Sequence, residues 1–130
     1  MIIEVCLDSL DSVVAAAEAG AHRIELCSAL TEGGLTPTLG TLMEARSLFP
    51  GTIVHMIRPR RGDFHYSPSE LAAMSTDIRQ AIDHGADELI FGCLATDGTI
   101  DQAATESLIQ ACSGTPHVFH RAFDASHDLS

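Results

Sequence analysis

The sequence predicts an α/β fold of the TIM, or (β/α)8, barrel type, present as four βα units and a fifth strand. Three observations predict it. Short apolar and β-branched runs alternate with helix-length stretches in the order β-α-β-α-β-α-β-α-β, which requires parallel strands and right-handed crossovers. A weak internal repeat uses one unit twice: AEAGAHRIEL at 17–26 and IDHGADELI at 82–90 each read as a helix end, a Gly-Ala turn and a strand. Groups able to do chemistry fall just after many different strands, as on a barrel, whereas no strand is followed by the G-x-G-x-x-G of a dinucleotide-binding sheet.

Each element has its own signal. Residues 2–6 (IIEVC) read as the first strand. Asp8 or Ser9 caps a helix running to Glu18 and stopped by Gly20. Residues 23–27 (RIELC) form the second strand, and a loop with Gly33-Gly34 follows. Thr36-Pro37 opens a helix to about Phe49, with proline at its favoured first position. Residues 52–57 are β-branched and apolar, the third strand, and 58–66 a polar loop. Ser67-Pro68-Ser69-Glu70 is a capping-box start for a helix ending at Gly85. Residues 88–92 form the fourth strand. A helix spans 101–112, Ser113-Gly114-Thr115-Pro116 breaks it, and 117–121 form the fifth strand.

The chain has 130 residues with 7 arginines, no lysine and 18 acids, for a net charge of −11. That balance argues against nucleic acid or an anionic membrane as partner, since either needs a basic face. The absence of lysine excludes a Schiff-base lysine and a P-loop. The apolar runs are too short to span a bilayer, and the first residues lack the basic region of a targeting signal. The expectation is a cytoplasmic protein whose four cysteines (Cys6, Cys27, Cys93, Cys112) are thiols. A full barrel takes roughly 250 residues. The expectation is therefore a single domain over 1–130, the N-terminal portion of a barrel truncated after 130. Its open edges would be covered by a second copy or by further chain, which makes a homo-oligomer the expected state.

The candidate site residues admit two readings each. Cys6 and Cys27 close the first two strands at nearly equivalent positions, about 4.8 Å apart across the sheet. They read as a converging thiol pair or as small buried apolar residues. Met56 is a weaker soft donor deep in the third strand. Glu4 and Glu25 are charges inside apolar strands and need partners, for which Arg58, His55, His120 and Arg121 are the expected cations. Glu25 with His120 suits general acid–base work, or the two merely fix each other. Arg58, Arg60 and Arg61 cluster after the third strand, either as forks for a carboxylate or phosphate or as a pair network with Asp63. His120, Arg121 and Asp124 end the fifth strand, where barrels place substrate-binding groups.

Six segments, in order, resemble the CutC family of copper homeostasis proteins: EVC at 4–6, RIELC at 23–27, EGGLTP at 32–37, MIRPR at 56–60, GDF at 62–64 and FHRAFD at 119–124. The resemblance runs over essentially the whole chain. It implies a TIM-barrel-like fold and cytoplasmic handling of Cu(I) by cysteine, with Cys6 and Cys27 as metal ligands and copper as the bound partner, because soft thiolates suit Cu(I). Arg61 departs from the family pattern, where glycine is common. The alternative is a barrel enzyme for a small anionic metabolite, with Arg58, Arg60, Arg121 and Asp124 binding and Glu25 and His120 moving protons.

Overall fold

The computed structural model describes residues 1–120 and 122. Five strands, β1 (Glu4–Leu7), β2 (Arg23–Leu26), β3 (Thr52–Met56), β4 (Glu88–Phe91) and β5 (His117–Phe119), alternate with α1 (Leu10–Glu18), α2 (Leu39–Leu48), α3 (Pro68–Asp83) and α4 (Gln102–Cys112). The strands form a parallel sheet in the order β1-β2-β3-β4-β5. Sequential neighbours, each returned by a helix, are the arrangement of a partial barrel, as the alternation predicts.

Side chains alternate between the sheet faces with period two. Ile24, Leu26, Ile53, Leu89 and Phe91 point toward the helices and pack with Val13, Leu42, Ala45, Met74, Ile78 and Leu108 into the main core. Fully burying each such aliphatic side chain contributes roughly 1.5–3 kcal/mol. The register sets Cys6 beside Glu25, Glu25 beside Val54, and Met56 beside Ile90 on the opposite, luminal face. Cys6, Glu25 and Met56 share that face.

Local signals set most boundaries. Ser9, not Asp8, caps α1, accepting from Ser12 N–H at 3.1 Å; Asp8 instead accepts from Leu30 N–H across the loop after β2. Ser67 and Glu70 form the expected capping box of α3, and Asp101 caps α4. Three expectations shift. β1 begins at Glu4 because the Ile3 carbonyl already accepts from both His22 and Arg23 N–H, and Ile2 and Ile3 are exposed. α2 begins at Leu39 with Thr38 as its cap, so Pro37 lies outside the helix. Thr36 is held extended by β3's end, its N–H donating to the Arg58 carbonyl and its hydroxyl accepting from Arg58 N–H. β5 ends at Phe119, although His120 N–H still donates to the Phe91 carbonyl at 2.8 Å.

The loop after β2 holds a short 3-10 turn, Leu30–Glu32, that the sequence did not announce. Gly33 and Gly34 follow it at φ 89° and 92°, left-handed positions that glycine takes without strain. The loop folds back so that Ser28 and Leu35 exchange backbone hydrogen bonds, which brings Gly34 over the end of β2.

Candidate functional site

The luminal face is layered. At the N-terminal ends of the strands, Arg23 binds Glu4 through Nε at 2.8 Å and Glu88 through both terminal nitrogens. This corrects the expected partners of Glu4. The cation comes from the neighbouring strand, in register with Glu4, rather than from Arg58 or His120. His55 is not available either, because it pairs with Leu26 and Leu89 and faces the helices.

One layer higher, β1 and β2 bring Cys6, Glu25 and Cys27 together. Cys27 N–H donates to the Leu7 carbonyl at 3.0 Å, which continues the ladder one residue past β2. Cys27 therefore sits diagonally above Cys6 and two residues beyond Glu25 on the same face. The Sγ atoms are 4.0 Å apart. Glu25 Oε1 lies 3.8 Å from Cys6 Sγ and 3.7 Å from Cys27 Sγ. Cys6 is exposed and Cys27 buried, so the cluster has one open and one closed side. Two metal–thiolate bonds of about 2.3 Å, the zinc value, reach about 4.6 Å when collinear, so one ion fits between these sulfurs.

Burial above all, with the Glu25 charge second, pushes the Cys6 thiol above its ordinary value. Burial, then the neighbouring Cys6, raises Cys27 further. Burial, then repulsion by Glu4, raises the Glu25 carboxyl. Burial thus favours the protonated form of all three groups, and a cation bound to the thiols would displace their protons.

Above it, a cavity of about 200 Å³ is lined by Glu25, Gly33, Met56, Arg58, Phe64, Ile90 and His120. This brings three expected site residues, Glu25, Arg58 and His120, to one place. Arg58 is 3% exposed. Its terminal nitrogens donate to the Glu32, Gly34 and Gly62 carbonyls, and its guanidinium lies 4.9 Å over the Phe64 ring. It ties the loops after β2 and β3 together. His120 is buried against Phe64, with ring centroids 5.2 Å apart, and its Nδ1 accepts from Ala122 N–H. Arg60 stands apart, its fork on Glu70 and Asp63 and its face on Tyr66, and Arg61 reaches Glu32 at the surface. Arg121 and Asp124 lie outside the described residues. Cys93 and Cys112 belong to the helix-facing core, and burial pushes Cys93 up to about 12.

Sequence reasoning placed Glu25 with a histidine and missed its place between the two thiols. The signal was present: Glu25 and Cys27 are two residues apart on a strand, hence on one face. The Glu4–Arg23–Glu88 layer was legible only with the register in hand.

The CutC family model matches residues 1–130. The chain belongs to the CutC family. It is 50% identical over 127 residues to a human protein named copper homeostasis protein cutC homolog, covering 98% of this chain and 46% of that one. It is 47% identical over 130 residues to a CutC family protein of Bacteroides fragilis, covering 99% and 52%. The crystal structure of a Streptococcus agalactiae protein titled CutC superposes with a TM-score of 0.89 at 38% identity, over 97% of this chain and 62% of that one. This CutC-family chain thus spans about half the length of the curated relatives it matches. Among its described residues, no helix is long and apolar enough to cross a membrane.

Proposed function

We propose that this chain serves copper homeostasis in the cytoplasm by binding Cu(I) between the thiolates of Cys6 and Cys27, with Glu25 beside them. The observation that carries the reading is the pair of luminal sulfurs 4.0 Å apart at one end of a parallel sheet. Cu(I) is soft and favours thiolates, and the named roles of the relatives concern copper homeostasis. Binding releases the two thiol protons, and Glu25 Oε1 lies 3.8 Å and 3.7 Å from the two sulfurs. The test replaces both cysteines by serine in a folded chain. Cu(I) binding lost in the double variant supports the reading; unchanged binding removes both residues from the site.

A second reading draws on the adjoining cavity. Arg58 lines it with Glu25 and His120, and Arg58 Nε is buried with no hydrogen-bond partner among the described residues. A small carboxylate or phosphate there would meet a buried cation. A melting-temperature screen of such anions, repeated with Arg58→Gln, tests it: stabilisation that the substitution abolishes supports an anion site, and a flat screen rejects it.

A further inference from the structure

Three sulfur-bearing residues stand on three successive strands of the luminal face: Cys6 on β1, Cys27 just past β2, and Met56 ending β3. Leu26 pairs with His55 in the β2–β3 register, so the next step along both strands sets Cys27 level with Met56. Gly34 lies against both side chains. A Cβ built there would lie 3.3 Å from Cys27 Sγ and 3.5 Å from Met56 Cε. Both side-chain ends therefore close over one backbone point, and at φ +92° that point favours glycine.

Met56 is 4% exposed, yet neither it nor Cys27 belongs to an apolar core cluster. Met56 instead lines the cavity that Glu25 also lines. Its thioether is neutral, polarizable and carried on three rotatable bonds, so the sulfur can swing without moving the strand.

We propose that Met56 Sδ is the third ligand of the Cys6–Cys27 site, giving a three-sulfur set that selects Cu(I) over Zn(II). The proposal rests on the copper reading above and deepens it. Glu25 is the competing third ligand, and an oxygen donor would shift the site toward harder ions. With Met56, two S–H bonds break, two protons leave to solvent, and two Cu–thiolate bonds and one Cu–thioether bond form, with no change of oxidation state.

The test is an anaerobic Cu(I) competition titration of the full chain beside Met56→Leu, a substitution that conserves volume, with Zn(II) titrated in parallel. Met56→Leu is expected to weaken Cu(I) by at least about tenfold, the lower end of what lost metal-site support costs, and to leave Zn(II) affinity unchanged. X-ray absorption on a selenomethionine-labelled chain needs no variant and should show a copper–selenium neighbour. Parental Cu(I) affinity in Met56→Leu, or no selenium neighbour, overturns the proposal. If the cysteine pair still proves essential, the copper reading survives that result. A parent chain that binds no Cu(I), or binds it without the two cysteines, overturns both.

Discussion

At the residue scale, the Cys6–Glu25–Cys27 cluster joins three groups that burial pushes toward their protonated forms. Metal binding must displace the thiol protons. At the proposed site, the burial that raises both thiols should therefore make Cu(I) affinity climb with pH. Each proton released contributes about tenfold per pH unit while pH stays below the thiol values, so two thiols give about a hundredfold. Competition titrations between about pH 6 and about pH 8 should show that slope; about tenfold per pH unit would mean that one thiol takes part, and a flat profile that neither does. His55 supplies a second pH effect. Burial among apolar residues holds it down to about 4, and its Nδ1 has no partner among the described residues. The unfolded chain takes up this proton near the ordinary 6.5. Stability is thus full above that value, falls as pH drops between the two, and levels off below about 4. The total is on the order of 3 kcal/mol. Denaturation midpoints should trace this decline, and His55→Leu should flatten it. The cysteine pair was legible in the sequence because both residues lie at the C-terminal ends of consecutive strands. The partners of Arg58 were not, because they are carbonyls of two loops whose paths no local signal encodes.

At the element scale, strong local chemistry gave accurate boundaries and long-range contacts displaced the others. α3 starts where Ser67, Pro68 and Glu70 require. Removing the cap with Ser67→Ala should cost about 1 kcal/mol, read as a lowered denaturant midpoint at unchanged slope; no shift would mean that packing alone sets this helix start. α2 ignored its proline because Thr36 is already committed to Arg58. The sequence shows the proline, but not the strand end lying beside it. The turn into β3 is another such contact. Thr52 N–H reaches the His22 carbonyl at 3.1 Å, and a Cβ on Gly51 would sit 2.3 Å from that same oxygen. Gly51→Ala should therefore destabilise the chain by more than the tenths of a kcal/mol typical of surface changes. A neutral outcome in thermal melts would show that this turn yields easily.

At the scale of the whole molecule, strand order followed from the alternation together with the absence of a dinucleotide-binding G-x-G-x-x-G, since a barrel, unlike a doubly wound sheet, lays consecutive strands side by side. The composition of the luminal face did not follow so simply. It needs the register, which places Arg23 between Glu4 and Glu88 and leaves the sulfur-bearing residues together above them. A metal held between Cys6 and Cys27 bridges the neighbouring strands β1 and β2. Cu(I) loading should therefore stabilise the folded chain, by about 2.7 kcal/mol when free Cu(I) exceeds its dissociation constant a hundredfold. Melting scans with and without Cu(I) measure this. The most direct measurement is the anaerobic Cu(I) competition titration of the reduced chain beside a folded Cys6→Ser/Cys27→Ser variant. Copper held at about one equivalent by the parent and released by the variant is the predicted result. Equal binding by both chains would contradict it.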